Sequence, residues 1–168
     1  MNFTIDKVPE RTTKPRQKGL TMVMDKGLSV REAENLVSAG GDYIDLLKLG
    51  FGSAFVTPNL EQKLNVYREA NITPYLGGTL FEAFIVRNKF EDFVRLLEKY
   101  KLTFAEVSDG SISLPHDEKC QYIAKLCKYV TVISEVGSKE EGIIIHPNVW
   151  INMMQKELEA GVWKVIAE

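Results

Sequence analysis

Short apolar runs alternate with longer amphipathic stretches along most of this sequence. Helical periodicity follows every apolar run except the last, and the strand starts are spaced by about one βα unit. Such alternation predicts a parallel sheet that is covered by helices. The predicted strands are residues 20–24, 43–49, 72–76, 103–107, 130–136 and 163–168.

Capping residues mark several of the predicted helix ends. Ser29 with Glu32 three residues later forms a capping-box pattern, and Pro58 fits the first position of the next helix. Gly161 follows the last helix, as a C-terminal cap would. The predicted helices are residues 29–39, 58–70, 88–100, 115–128 and 147–160.

Two architectures share this alternation, an open doubly wound sheet and a (β/α)8 barrel. The turn after the first strand reads MDKGLS and lacks the G-x-G-x-x-G pattern, which weakens a dinucleotide-binding interpretation. A full barrel needs eight strands and about 250 residues. The chain has 168 residues, and its sixth strand reaches the last one, so we expect a barrel fragment or strands supplied from elsewhere.

The chain divides into an irregular basic arm, residues 1–18, and a (β/α) domain, residues 19–168. Arg11, Lys14 and Arg16 lie around Pro15 with no hydrophobic period. The arm is either a solvated lead-in or a basic segment near an anionic substrate or a neighbouring subunit.

Composition narrows the function classes. Hydrophobic residues make up 45%, and the formal net charge of -2 argues against a nucleic-acid partner. No run approaches the roughly 18 apolar residues of a membrane span, and the polar N-terminus lacks a signal-peptide core. The cysteine spacing matches no zinc motif. We expect a cytoplasmic protein that acts on small molecules.

Charged residues and glycines recur at the predicted carboxyl ends of the strands, where parallel α/β proteins place their active sites. An unpaired charge inside an apolar run is costly, so recurrent charges there predict one shared pocket. The charges inside apolar runs are Asp45, Lys48, Glu106 and Glu135. Further candidates at strand ends are Asp25, Lys26, Gly77, Gly78, Thr79, Ser108, Asp109, Lys139 and Glu168.

This combination of side chains predicts a divalent cation and an anionic substrate. Oxygen-rich ligation suits Mg²⁺, and lysines can bind phosphate or act as general acids. Glycines after the charges let a phosphate approach the backbone. A Schiff-base aldolase is an alternative, because Lys48 could serve as its strand lysine.

Five segments resemble, in order and spacing, the strand-end motifs of the phosphosulfolactate synthase family, from about residue 19 to residue 168. The segments are LTMVMDKG, DYIDLLKLGFGS, YLGGTLFE, AEVSDGSISL and ISEVGSK. The resemblance implies a (β/α)8 TIM-barrel fold with only about six βα units in this chain. It also implies magnesium-dependent addition of sulfite to phosphoenolpyruvate, giving 2-phospho-3-sulfolactate.

The resemblance further implies roles for single residues. Lys139 would be the general acid, and Glu106, Glu135 and Asp109 would hold Mg²⁺, with the two glutamates also catalytic. The expected substrate contacts are Lys26, Lys48, Gly77, Gly78, Thr79 and Ser108. Asp25, Asp45 and Glu168 remain further candidates.

Two mild departures from the family pattern would affect the sulfite pocket. Phe51 stands where the family often has tryptophan, and Ser138 stands where it often has lysine. Two other functions remain open: another barrel enzyme on phosphorylated anions, or an inactive barrel fragment whose open sheet edge drives self-association. We expect the protein to form a homo-oligomer.

Overall fold

A computed structural model describes Phe3, residues 5–137 and residues 146–167. Within them, six parallel strands form one sheet in chain order, from β1 to β6. The strands are β1 Met22–Asp25, β2 Leu46–Leu49, β3 Thr73–Leu76, β4 Phe104–Val107, β5 Thr131–Val136 and β6 Lys164–Ala167.

The order of the strands decides between the two predicted architectures. A doubly wound sheet reverses its strand order at a switch point, whereas each strand here pairs in parallel with the next one along the chain. The sheet is therefore a curled, six-stranded half-barrel. The predicted parallel α/β fold is confirmed at this level.

Within the described residues, six α-helices cover one face of the sheet. Ser29 caps α1 through the backbone N–H of Glu32, and the Glu32 carboxylate accepts from the Ser29 N–H, which confirms the predicted capping box. The helices are α1 Val30–Gly40, α2 Leu60–Glu69, α3 Gly78–Ile85, α4 Phe90–Lys99, α5 His116–Leu126 and α6 Pro147–Glu159. No helix among the described residues has both the length and the apolar character needed to cross a membrane.

Two helix predictions were wrong. Helix α3 begins directly at Gly78, in a stretch for which the sequence predicted no helix. Its residues are apolar on nearly all sides, because it is buried between β4 and α4, so no amphipathic period marks it. Helix α2 begins at Leu60 rather than Pro58, because Asn59 takes a left-handed conformation before it.

Apolar side chains form a layer on each face of the sheet. The larger layer lies between the strands and the helices, which is the outer face. A smaller cluster of Leu46, Tyr75 and Ile133 lies on the inner face, away from the helices. Lys48 lies two residues beyond Leu46 in β2 and pairs in register with Tyr75. Its side chain therefore lies on the same inner face, closer to the carboxyl end of the strand.

The described part of the arm, Phe3 and residues 5–18, has no helix or strand but is anchored to the amino-terminal edge of the sheet. Arg16 Nη1 lies 2.9 Å from Asp45 Oδ1, and Lys14 Nζ donates to the Gly41 carbonyl at the end of α1. The predicted place of Asp45 at the active-site edge is therefore wrong. Asp45 precedes β2, and its carboxylate accepts from the backbone N–H of Thr21 at the opposite end of the strands.

Replacing Arg16 by alanine is expected to lower the free energy of unfolding by about 2 kcal/mol, because it removes a charged hydrogen bond to a buried carboxylate. Burial alone would raise the pKa of Asp45, but the Thr21 N–H and Arg16 outweigh it and lower the pKa. This contribution is present above the unfolded-state pKa and is lost as the pH falls through the folded-state pKa. Urea unfolding at neutral and acidic pH measures both effects.

Arg31→Ala is the matched control for Arg16→Ala. Arg31 forms an exposed pair with Glu34, with side chains 83% and 44% accessible, and should cost less than about 1 kcal/mol. Equal losses from the two substitutions would contradict an anchoring role for the arm.

Candidate active site

Three charged side chains from three strands meet at the carboxyl end of the sheet. Lys48 Nζ lies 2.6 Å from Glu106 Oε1 and 3.0 Å from Glu135 Oε2. All three side chains are at least nine-tenths buried. The structure thus brings together three of the residues that the sequence placed at strand ends.

The pleat of the sheet explains why these side chains meet. Lys48 pairs with Tyr75 across β2 and β3, and Leu76 pairs with Ala105 across β3 and β4, which puts Tyr75 and Glu106 on the inner face. Glu135 lies two residues beyond Ile133, the partner of Glu106. Tyr75 is a fourth member that the sequence did not reveal, and its hydroxyl lies 3.3 Å from Glu106 Oε2. We call Lys48, Tyr75, Glu106 and Glu135 the strand-end cluster.

The charges of the strand-end cluster keep Lys48 protonated. Burial alone would lower the pKa of Lys48, but Glu106 and Glu135 outweigh it and raise the pKa. Burial and the neighbouring Glu106 also raise the pKa of Tyr75, so its hydroxyl stays neutral and can donate. At Glu106, burial outweighs Lys48 and the Gly78 N–H and raises the pKa of the carboxyl. When both glutamates are ionised, the cluster carries one more negative than positive charge, which favours a cation beside it.

Two glycines allow α3 to begin directly against this cluster. The backbone N–H of Gly78 donates to Glu106 Oε1 at 2.8 Å. A Cβ atom at Gly78 would lie 2.0 Å from Ser108 Oγ, and one at Gly77 would lie 3.1 Å from Lys48 Cε. Thr79 is partly exposed in the first turn of α3. The glycines therefore provide close packing, and the Gly78 N–H is already used by Glu106.

The Ser108 side chain is held by Glu82, a residue of α3 in the helix layer. Its hydroxyl donates to Glu82 Oε1 in a short contact, and Glu82 Oε2 accepts from the Ser111 N–H at 3.1 Å. A serine hydroxyl has one proton, so in this arrangement Ser108 can only accept hydrogen bonds from a ligand. Glu82, a charged residue that follows the predicted end of the third strand closely, is a buried residue of α3.

Asp109 does not join Glu106 and Glu135. Its carboxylate lies 2.8 Å from the ammonium of Lys119, a fully buried residue of α5. In the part of the chain that the structure describes, no three His, Cys, Asp or Glu side chains are arranged to hold a metal ion. Asp109 therefore stands apart from the other two predicted magnesium ligands and is paired with Lys119.

Asp25 lies on the outer face and not in the strand-end cluster. It pairs in register with Leu49, one residue beyond Lys48, so its side chain points toward the helices. There it contacts Lys63 Nζ at 2.9 Å and the Tyr67 hydroxyl at 3.0 Å. Its other oxygen accepts from two backbone N–H groups of the following loop, which indicates a structural role.

Three other predicted site residues stand apart from the cluster or outside the described part. Lys26 is exposed, and its ammonium lies 5.4 Å from the centroid of the Phe51 ring. Phe51 itself is exposed at a φ of 51°, a rare conformation for a bulky side chain. Lys139 and Glu168 lie outside the described residues.

The spacing of apolar residues along two helices indicates that two lysines are buried, a pattern that the sequence predictions did not use. Lys119 shares a helix face with Ile123 and Leu126, at four and seven residues' distance. Lys63 likewise lies between Leu60 and Tyr67 on the buried face of α2. A lysine on an apolar helix face predicts a buried carboxylate partner nearby.

A sequential parallel sheet with buried charged residues at the carboxyl ends of its strands defines an α/β enzyme of the half-barrel type. Residues 9–168 match the family described as (2R)-phospho-3-sulfolactate synthase (ComA), and the chain belongs to that family. Phosphosulfolactate synthase from Bacillus subtilis is 34% identical over 169 residues, covering 99% of this chain and 67% of the relative. The Methanocaldococcus jannaschii phosphosulfolactate synthase is 35% identical, covering 90% and 62%.

The chain spans about two thirds of the length of these curated relatives. Solved structures support the fold alone. The carboxyl transferase domain of Rhizobium etli pyruvate carboxylase aligns with a TM-score of 0.61 at 14% identity, covering 88% of this chain and 27% of that one. A 2,3-dimethylmalate lyase of the PEP mutase/isocitrate lyase superfamily aligns with a TM-score of 0.59 at 14% identity, covering 89% and 56%.

Proposed function

We propose that this chain forms most of the active site of a phosphosulfolactate synthase, an enzyme that adds sulfite to phosphoenolpyruvate. Family membership supplies the reaction, and the strand-end cluster is the observation that supports catalysis within these residues. The half-barrel would be completed to a (β/α)8 barrel by two further βα units, as the longer relatives suggest.

The reaction joins the sulfur of sulfite to C3 of phosphoenolpyruvate. The π electrons of the C2–C3 bond move toward the carboxylate as an aci-carboxylate forms, and C2 then takes a proton to give 2-phospho-3-sulfolactate. The protein must therefore stabilise charge on the carboxylate and supply one proton at C2. No bond to phosphorus breaks.

Glu106 and Glu135 are the residues we propose to hold Mg²⁺, since the structure brings these two carboxylates together at the strand ends and magnesium often takes one or two carboxylates with water and substrate oxygens. The bound ion would act as a Lewis acid toward the developing carboxylate charge. Asp109 lies outside this arrangement, because its carboxylate contacts Lys119 of α5 rather than Lys48. Lys48 would orient both glutamates, and the Tyr75 hydroxyl would support Glu106.

Anion binding is assigned to groups that are not already paired within the cluster. Exposed Lys26 and the first turn of α3 at Thr79 are the proposed contacts for the phosphate. The Gly78 N–H serves Glu106 instead, and Ser108 serves Glu82.

The cluster disfavours the aldolase alternative. A Schiff-base lysine must lose its proton to attack a carbonyl, whereas two carboxylates raise the pKa of Lys48 and hold it as an ammonium. Borohydride trapping with a carbonyl substrate is therefore expected to leave Lys48 unmodified.

Sulfite-dependent loss of phosphoenolpyruvate tests the proposed function. The purified chain is incubated with both substrates and Mg²⁺, with a chelator control, and beside a chain extended to the length of its relatives. Magnesium-dependent consumption by either chain supports the proposal, and consumption by the extended chain alone assigns the missing part to the two additional βα units. No consumption by the extended chain contradicts it. Light scattering on both chains tests the expected homo-oligomer and the alternative of a self-associating fragment.

Lys139→Ala is expected to reduce turnover by about 10²–10⁴-fold, the usual contribution of a general acid. The assignment is taken from the family motif ISEVGSK. Single-turnover kinetics in deuterated water measure the protonation of C2. Lys128→Ala removes an exposed lysine near β5 and is the control. Full turnover by Lys139→Ala would remove the general-acid role.

A further inference from the structure

A second fully buried lysine with several partners, outside the strand-end cluster, is Lys119 of α5. Its ammonium donates to Asp109 Oδ1 at 2.8 Å and to the Glu135 carbonyl oxygen at 2.7 Å, and it lies 2.8 Å from Glu157 Oε1. An ammonium has three protons, so all three have acceptors. His116 Nε2 lies 3.1 Å from the same Glu157 oxygen, which links α5 to α6.

Two of these acceptors belong to the strand ends that carry the candidate active site. Asp109 follows β4 three residues after Glu106, and the carbonyl of Glu135 belongs to the residue whose side chain contacts Lys48. Lys48 joins β4 and β5 through side chains on the inner face. Lys119 joins the same two strand ends from the helix layer.

A buried ion pair is weak grounds for a stability role alone, since burying a charge costs about as much as the pairing returns. A role in fixing the positions of the two strand ends is better supported, because the Lys119 ammonium donates to both a loop carboxylate and a strand carbonyl. We propose that Lys119 is a positioning residue, which sets the spacing of the Glu106 and Glu135 strand ends and thereby the geometry of the strand-end cluster.

The chain offers a matched control for this proposal. Lys63 is equally buried in α2, contacts Asp25 at 2.9 Å and donates to the Leu28 carbonyl at 2.8 Å. It therefore also joins a strand-end aspartate to a backbone carbonyl, but at β1 rather than at β4 and β5. Lys63→Met should lower stability to a similar extent without changing the surroundings of Lys48.

The test follows the ¹³C–¹H resonance of Lys48 Cε, which is assigned by its absence from Lys48→Met. Lys119→Met is expected to shift this resonance, and Lys63→Met is not. The position of this resonance is measured without turnover, so it tests the positioning role even if the proposed function is wrong. Where the proposed function holds, Lys119→Met should lower kcat about tenfold with a smaller change in KM, as expected for a displaced catalytic group.

Lys119→Arg separates geometry from charge and covers the case in which Lys119→Met does not fold. It keeps the positive charge but replaces the compact ammonium with a longer planar group. We expect it to recover stability while the Lys48 resonance stays shifted. An unshifted Lys48 resonance in Lys119→Met, or its return to the wild-type position in Lys119→Arg, would overturn the proposal.

Discussion

Gly78→Ala is expected to destabilise the chain by about 1–3 kcal/mol, the usual cost of inserting a group into a filled core. The new Cβ would lie 2.0 Å from Ser108 Oγ and 2.5 Å from Ser108 Cβ, so a hydroxyl rotation cannot relieve the contact. Glu82 also holds Ser108 in place. Either the start of α3 or the end of β4 must move, and both carry contacts to Glu106. Urea unfolding measures the loss.

Gly40→Ala is the control, because a Cβ there meets nothing within 4 Å and the φ of -151° lies outside the left-handed region. It should change the free energy of unfolding by less than about 1 kcal/mol. A double-mutant cycle with Ser108→Gly then isolates the clash. The pair is expected to be less destabilising than the sum of the single changes. Additive losses would show that Gly78 is needed for another reason than its contact with Ser108.

Hydrophobic periodicity and the family resemblance predicted the main elements of the fold. The alternation of apolar runs and amphipathic stretches predicted six parallel strands, and all six are present within a few residues of the predicted bounds. Helix α3 was missed because burial on most sides removes the polar stripe on which such predictions depend. The choice between a doubly wound sheet and a barrel needed strand order, which apolar periodicity does not encode.

The position of a charged residue within its strand, more than its type, decided whether it belongs to the candidate site. Lys48, Glu106 and Glu135 were correctly brought together because each occupies the late half of its strand on the inner face. Asp25 ends its strand too, but the register places it on the outer face. A one-residue difference moves a side chain to the other face of a sheet.

Side chains that the helices contribute to the surroundings of the candidate site were also missed in the sequence predictions. Lys63 and Lys119 each bond a strand-end residue or the loop after it from the helix layer. Their partners are distant in sequence, so no local motif joins them. Tyr75 was missed for a different reason, since a tyrosine in a strand is usually part of the apolar core.

Lys48→Met is expected to cost about 3–5 kcal/mol of stability at neutral pH and to abolish turnover in the sulfite assay. The substitution keeps the length of the side chain but leaves Glu106 and Glu135 buried without their shared ammonium. Burial already raises the pKa of Glu106 in the wild type, and without Lys48 the two carboxylates raise each other's pKa further above the unfolded-state value. Folding of the variant therefore takes up protons, and its deficit relative to wild type should be largest near pH ~8 and shrink toward pH ~5.

Two further variants show whether charge is the cause of this loss. Lys48→Met combined with Glu106→Gln removes one carboxylate while keeping an oxygen for the Gly78 N–H, so it should recover stability but not turnover. Lys156→Met breaks an exposed pair with Asp117 and should cost less than about 1 kcal/mol at every pH. A deficit for Lys48→Met that does not change with pH would mean that Lys48 stabilises the chain by packing. The strand-end cluster would then lack the coupled charges on which magnesium binding and catalysis are proposed to depend.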